Sequence, residues 1–469
     1  LLKQLLTESL VIAVGGGICG VILAVWANTL LEKSLPPVAS FFAVQLDLSP
    51  DWRVLVFAVV LSLGCTILSG LVPAWRASRA RSLGTSRRRP LGLVAQVVMS
   101  FVLLLIAASF IQALLRMQTT DPGFKVADRL YAFAFIPTPP FTPATGREFY
   151  LQALERTKAI PGVRRAALSY SLPLMPASSD CASLSNGPRI TITTGAVDSG
   201  FFETMGIGMV AGRTFAAGNV PTDAATVVVN QSLAERLWPD RSAIGERVWL
   251  GCEKTQALVV VGVVRNSAIR SLAEPPQPHL YRPFLQHYSG GLTTILVETG
   301  TASAEMVEPV RRTLLALGQG IRVYAVQPMS THVERSYSSA RWQATMVSSF
   351  GLLALGLAAI GLYGVIAHRV TLRTQEIGLR IALGAGRHDI FREVVTHGLA
   401  IVIAGVATGE ILTAAAMRVV GSMQMGIRPT DLSTHVITGL VWIAVAFVAC
   451  YLPAARATRV DPMVALRYD

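Results

Sequence analysis

Long apolar stretches occupy both ends of this chain, while its middle alternates between apolar and polar residues. A helix needs about 20 mostly apolar residues to cross about 30 Å of hydrocarbon. Six stretches reach that length. We therefore predict six transmembrane helices, at residues 5–30, 54–74, 91–115, 344–367, 394–420 and 436–452.

The middle segment, residues 118–341, carries shorter elements. Apolar residues at helical spacing predict helices at residues 146–163, 231–238 and 305–317. Short β-rich runs predict strands at residues 164–170, 189–193, 225–230, 257–264 and 293–298, whereas residues 178–180 are predicted as a loop. Helices mixed with strands are typical of an α+β domain, here with two subdomains. The predicted fold is a membrane α-helical bundle that carries this α+β domain, named the external domain below.

Arginine residues indicate which way the helices point. The loop at residues 76–90 has six Arg and no acidic residue, and residues 367–393 have five Arg against three acids. On the other side, residues 28–51 have one Lys against three acids. The positive-inside rule then places both termini and the Arg-rich loops in the cytoplasm. The external domain therefore lies outside the cytoplasm.

Composition supports a membrane protein and argues against other classes. Mean hydropathy is +0.50, and 15% of residues are charged, where a soluble chain carries about 25%. The net charge of +13 comes from Arg residues beside apolar runs, so we expect membrane lipid as a partner and no nucleic acid. The sequence has no phosphate-binding loop, no protease or esterase motif and no metal-ligand spacing. We therefore predict no catalytic residue, no metal and no cofactor.

The two ends of the chain resemble each other. Thr7 recurs as Thr396, an offset of 389, and PAWRASR from Pro73 recurs as PAARATR from Pro453, an offset of 380. Glycines four residues apart in a span let a second helix approach closely. We predict the last two spans of one unit followed by a complete four-span unit, with the start of the first unit missing. The matches at offset 389 are Thr7/Thr396, Leu10/Leu399, Ile12/Ile401, Gly16/Gly405, Gly20/Gly409, Ile22/Ile411 and Leu23/Leu412.

A short amphipathic segment lies between the fourth and fifth predicted spans, at residues 373–387. At helical spacing Ile377, Ile381 and Leu383 with Gly384 share one face, and Glu376 pairs with Arg380 four residues on. Such a helix lies on a lipid surface or docks into a groove of a partner protein. The pattern leaves both readings open.

Residues 376–385, EIGLRIALGA, resemble the signature of FtsX-like permeases of the MacB type. Further similarity to this family lies at residues 160–163, 201–207, 211–215, 227–246, 260–264 and 453–467. The resemblance implies a MacB-like periplasmic domain and a cytoplasmic coupling helix that contacts a separate ABC ATPase subunit. The coupling residues it implies are Arg373, Glu376, Ile377, Gly378, Arg380, Ala382, Leu383, Gly384 and Ala385.

The repeat resembles the tandem permeases abundant in acidobacteria, which often lack an adjacent ATPase. The resemblance implies a division of the chain into four parts. Residues 1–90 hold the last two spans of a first FtsX-like unit with an Arg-rich linker, residues 91–117 a span, residues 118–341 the MacB-like core domain, and residues 342–469 three spans with a coupling helix at 371–392.

The function implied is that of an ABC-transporter permease subunit in the inner membrane. ATP hydrolysis by the separate subunit would move the periplasmic domain and export a compound or envelope component. The alternative is a non-transporting mechanotransmission or signalling scaffold that acts on a periplasmic partner. Neither interpretation names a substrate.

Several single residues carry further predictions. Cys181 and Cys252 fall in the external domain, where an oxidising compartment permits a disulfide; two unpaired loop thiols are the alternative. Within the spans, Glu410 is expected at a helix interface or in gating. Gln96 and His397 are expected to make hydrogen bonds between helices or at the membrane interface.

Overall fold

The computed structural model describes residues 91–137, 141–420 and 432–458, except residues 171, 186, 217–224, 255, 289 and 319–320, together with short helical pieces within residues 11–64. The predictions for the first two spans therefore lie largely outside the described residues. From residue 91 onward, the described helices are α1 Leu91–Thr119, α2 Pro143–Lys158, α3 Phe201–Met205, α4 Gln231–Leu237, α5 Phe284–His287, α6 Val307–Leu315, α7 Met329–Ser336, α8 Ser338–Leu372, α9 Thr374–Ala382, α10 Arg387–Val420 and α11 Leu432–Ala457.

The strands that the structure describes all belong to the external domain. They are β1 Arg129–Ile136, β2 Val163–Ser169, β3 Ser178–Ser183, β4 Ile190–Val197, β5 Met209–Gly212, β6 Thr226–Asn230, β7 Arg247–Leu250, β8 Gln256–Val264, β9 His279–Pro283, β10 Gly291–Thr299 and β11 Arg322–Pro328.

Four helices of the described part are long and apolar enough to cross a membrane. They match the third to sixth predicted spans and include α1, α8, α10 and α11; α7 leads directly into the second of them. Their exposed surfaces are apolar, as in Leu353 and Ile360 on α8 or Ile437 and Leu440 on α11. Such surfaces suit a hydrocarbon solvent, which has no groups to pair with polar side chains.

Residue contacts divide the chain into two compact units. One comprises residues 1–99, 357–405 and 445–469, and it contains α9. The other comprises residues 100–356 and 406–444, and it contains the external domain with the adjoining parts of the spans. Each is described separately below.

The first part of the external domain is a four-stranded antiparallel sheet in the order β11-β1-β10-β2. Helices α2 and α6 cover one face, where Leu154 and Val310 pack with Ile295. Helix α2 starts three residues before the predicted 146–163, because Thr142 forms a capping box and Pro143 follows it. Both signals satisfy or remove amide donors that a helix N-terminus leaves without partners.

The second part is a ring of six strands in the order β3-β4-β9-β6-β8-β7, which closes where β7 pairs with β3. Alternate residues of β6, Val227 and Val229, pack with Leu258 and Leu280 in one core, while Val228 joins a second core with Tyr281. The two parts of the sheet meet at a single pair, Ser169 with Val197. The α+β prediction with two subdomains describes this arrangement.

One predicted loop is a strand. Residues 178–180 begin β3, where Ser179 pairs with Thr193 of β4. The prediction was wrong because Ser and Asp favour turns when judged locally, whereas pairing with a neighbouring strand overrides that preference here.

The junction between α1 and the external domain is short and tightly bonded. The Ala268 amide donates to the Pro122 carbonyl at 2.8 Å, and the Lys125 amide donates to the Met205 carbonyl at 2.8 Å. Gly123 has φ +76°, and a Cβ there would collide with the backbone of Asn266. Only glycine adopts this conformation and this close approach without strain.

Candidate functional site

Helix α9 lies between α8 and α10 in the sequence, and a local signal sets its C-terminus. Arg373 is the N-cap residue. At the C-terminus the Gly384 amide donates to the Ile381 carbonyl at 3.0 Å, and the Ala385 amide donates to the Arg380 carbonyl at 2.9 Å. With Gly384 at φ +96°, these are the two hydrogen bonds of a Schellman motif. The motif explains why glycine follows the helix, and it stops α9 at Ala382.

One face of α9 is packed inside the protein. Ile377 is 8% exposed and Gly378 is buried. Ile377 forms a small core with Ile390 of α10 and Ala457 of α11, and Ile381 packs against it. This core defines the face of α9 that packs against α10 and α11.

One edge of α9 carries a ring of alternating charges. Arg380 contacts both Glu376 and Glu393, the latter at 3.0 Å from Nη1 to Oε2. Arg373 lies 3.8 Å from Glu393 and 4.0 Å from Glu376. The predicted Glu376–Arg380 pair is present. Glu393 was not predicted, because it stands 13 residues from Arg380, across the turn from α9 to α10, where helical spacing rules give no signal.

The remaining face of α9 is exposed and, toward the C-terminus of the helix, apolar. Leu379 is 49% exposed and Leu383 is 79% exposed. The prediction that Leu383 shares a face with Ile377 and Ile381 was wrong, because Leu383 stands two residues after Ile381 and residues two apart do not share a helix face. Ala382 is also exposed. The predicted coupling residues thus include the buried Ile377 and Gly378, the exposed charged Arg373, Glu376 and Arg380, the exposed apolar Ala382 and Leu383, and Gly384 and Ala385 of the turn that ends α9.

Polar side chains also link the helices of the same unit. Arg369 of α8 hydrogen-bonds His397 of α10, as predicted for His397. Arg456 of α11 donates to the Tyr363 hydroxyl of α8 at 3.0 Å. The predicted hydrogen bond of Gln96 stays a prediction; its amide lies against Gly361 of α8.

A second set of links lies within the other unit. The Glu410 carboxylate of α10 and His435 Nδ1 of α11 are 2.7 Å apart, and Thr434 donates to Gln112 of α1 at 2.9 Å. Glu410 therefore stands at a helix interface, as predicted.

Buried ionisable groups in the external domain hold the fold together. Arg129 is 5% exposed and pairs with Glu298, which is 8% exposed. Its Nε donates to the Thr204 carbonyl at 2.6 Å. Burial lowers the pKa of His279 to about 3, and its Nδ1 lies 2.7 Å from the Thr193 hydroxyl.

Cys181 and Cys252 form a disulfide in the structure, with a Cα–Cα distance of 4.8 Å. The bond joins β3 to the turn that follows β7. Among the described residues, no group of three His, Cys, Asp or Glu side chains is placed to hold a metal ion.

Two family models match the chain. The MacB-like periplasmic core domain matches residues 93–317, and the FtsX-like permease C-terminal model matches residues 1–82 and 348–462. Both are models of permease domains.

Curated relatives share the name macrolide export ATP-binding/permease protein MacB. The protein from Neisseria gonorrhoeae is 25% identical over 65% of this chain and 48% of its own length. The protein from Agrobacterium fabrum is 26% identical over 58% of this chain and 43% of its own length. The chain therefore spans about half the length of the curated relatives it matches.

A solved structure, the periplasmic region of MacB from Actinobacillus actinomycetemcomitans, is 13% identical, with a TM-score of 0.33, over 45% of this chain and 94% of that one. The FtsX-like model matches two segments that contain the two copies of the internal repeat, and the MacB-like model matches the sequence between them. The chain therefore belongs to the FtsX-like, MacB-type family of ABC permeases.

Proposed function

We propose that this chain is a permease subunit that couples ATP hydrolysis by a separate ABC ATPase to movement of its external domain, exporting a compound or an envelope component. The observation that carries the proposal is the exposed apolar face of α9, formed by Leu379, Ala382 and Leu383. This face belongs to a helix that the rest of the protein holds in place.

The contacts of α9 favour a protein partner over a lipid surface. A helix that lies on lipid turns its main apolar face into the bilayer. In α9 that face, Ile377 with Ile381, is already packed against Ile390 and Ala457. Leu379 and Leu383 are four residues apart, the spacing with which a helix anchors itself in a protein groove.

The ATPase is proposed as a separate subunit. The curated relatives are named ATP-binding/permease proteins, whereas this sequence has no phosphate-binding loop and matches permease models. We also propose the domain division given above, with residues 371–392 as the coupling segment and Arg373, Glu376, Ile377, Gly378, Arg380, Ala382, Leu383, Gly384 and Ala385 as its coupling residues. The tandem arrangement related to acidobacterial permeases belongs to the same proposal.

The location follows from the charge distribution. We propose an inner-membrane protein with cytoplasmic termini, because residues 367–393, which contain α9, carry five Arg against three acids. Residues 118–341 then lie in the periplasm, where the Cys181–Cys252 disulfide would form in the mature protein.

The test is co-purification from membranes that express the affinity-tagged full chain. Mass spectrometry should identify a protein with a phosphate-binding loop and ABC ATPase signature. We expect the double variant Leu379→Asp, Leu383→Asp to recover at least about tenfold less of it, because each Asp places a charge in a desolvated groove. The matched control is Leu315→Asp in the external domain, since Leu315 is also 49% exposed.

Undiminished ATPase recovery after deletion of residues 373–386 would refute the proposal. If the intact chain recovers a periplasmic partner instead of an ATPase, the scaffold interpretation replaces it.

A further inference from the structure

The ring of charges described above joins two different helices. Arg373, Glu376 and Arg380 belong to α9 and its N-cap, whereas Glu393 comes from the second turn of α10. Each Arg contacts both carboxylates, and each carboxylate contacts both Arg residues. Glu393 is thus the member through which the ring crosses from α9 to α10.

We propose that Glu393 is a positioning residue for α9. It fixes α9 to the first turns of α10. A force applied to α9 is then transmitted directly to α10 as well as to α8. The inference rests on the proposed function in that an ATPase supplies the force. The attachment itself is a property of the permease alone.

The local structure explains why α9 needs such an attachment. A helix of nine residues is marginal in water without tertiary contacts. The Ile377 core holds one side of α9. A contact on one side does not by itself prevent rotation of the helix about its own axis. The two Arg residues span seven residues of α9, about two helical turns, so Glu393 contacts the helix at both ends of that span.

Because the ring of charges is exposed to solvent, its effect on α9 should depend on salt concentration. Its side chains are 48–63% exposed, so each pair is weak and screened by salt. The contribution of the ring should therefore disappear at high ionic strength, whereas that of the Ile377 core should remain. A passive cluster of surface charges would leave the mobility of α9 unchanged in both conditions.

The test is hydrogen–deuterium exchange of the full chain in lipid nanodiscs, without any ATPase. In Glu393→Gln we expect the amides of residues 377–385 to exchange about three- to tenfold faster than in the wild type at 20 mM salt. The wild type at 500 mM salt should approach the rate of the variant, and the variant should respond little to salt. Glu393→Asp, which keeps the charge, should lie between them.

Asp389→Asn is the matched control, because it removes one exposed carboxylate from the first turn of the same helix. Unchanged hydrogen exchange in the external domain shows that a variant is folded. The salt series is measured on the wild type, so it does not depend on the folding of any variant. Wild-type protection of α9 in Glu393→Gln, or protection that salt does not alter, would overturn the inference. Failure of any ATPase to bind would end the proposed function and leave this result standing.

Discussion

Gly409 of α10 lies against the ring of Phe101 of α1. A Cβ placed on Gly409 would lie 2.6 Å from Phe101 Cδ1. Phe101 is fully buried, so its ring has little room to move away. One turn earlier, Gly405 has the same relation to Val97, at 2.5 Å. The two glycines are those that recur as Gly16 and Gly20 in the first apolar stretch.

A larger side chain at residue 409 should therefore loosen the bundle. We expect Gly409→Leu to lower stability by about 1–3 kcal/mol, because overpacking displaces Phe101 or parts the two helices. Thermal unfolding in detergent, followed by size-exclusion chromatography, measures the effect. Gly439→Leu on α11 is the control, since no described atom lies within 4 Å of a Cβ at that position. Equal melting temperatures for the two variants would contradict the packing argument.

The buried Arg129–Glu298 pair should be costly to break. In Glu298→Gln, Arg129 keeps its bonds to the carbonyls of Thr204 and Ala127 but loses its buried counter-charge, and we expect a loss of about 3 kcal/mol. Urea unfolding of the external domain, read by limited proteolysis of the full chain, measures it. Arg312→Met removes an exposed pair with Glu308, which should cost under about 0.5 kcal/mol. A similar small loss for Glu298→Gln would show that the buried pair is unimportant.

Acid should weaken the external domain through His279. The folded-state pKa of His279 is about 3, below its unfolded value of about 6.5. The unfolded chain therefore binds the extra proton, and the contribution of His279 to stability is present above pH 6.5 and is lost as pH falls toward 3. Between pH 7 and pH 4.5 we expect a loss of about 2–3 kcal/mol.

His279→Phe isolates this effect, because Thr193 keeps its bond to the Pro278 carbonyl at 3.2 Å. The same urea titration at both pH values should show a smaller loss in the variant than in the wild type. Equal losses would assign the acid sensitivity to other groups.

The disulfide predicts a simple chemical result. The chain has five cysteines. Alkylation of the denatured chain should add two more groups after reduction than before it, because Cys181 and Cys252 are bonded. Intact-mass spectrometry counts these groups. The variant Cys181→Ser, Cys252→Ser should show no such difference and should lose about 2–4 kcal/mol of stability. Identical masses before and after reduction of the wild type would show that both thiols are free.

Topology can be tested at two exposed positions. Glu155 is 71% exposed on α2, and Leu383 is 79% exposed beyond α9. In spheroplasts, a membrane-impermeant maleimide should label Glu155→Cys before lysis and Leu383→Cys only after lysis. The unsubstituted chain gives the background from native cysteines. Labelling of both positions in intact spheroplasts would overturn the proposed orientation.

Local sequence patterns predicted much of this fold. They did not predict contacts between residues that are distant in the sequence. Hydrophobic length was enough for the four described spans, and i,i+4 spacing was enough for Glu376 with Arg380. Contacts between distant segments were beyond such rules. Arg129 meets Glu298 because β1 pairs with β10 in one register, and Glu393 meets Arg380 because the chain reverses between α9 and α10. No local signal encodes the register of β1 with β10, and the Gly384 turn ends α9 without specifying which residue of α10 meets Arg380.

The junction after α1 has a mechanical consequence. Pro122 is bonded to Ala268 and Lys125 to Met205, while Gly123 sits tightly against Asn266. These contacts hold the connection from Thr120 to Lys125 in place, so it cannot lengthen when α1 is displaced. A shift of α1 along its axis would therefore displace the loop after β8 and α3 at the same time.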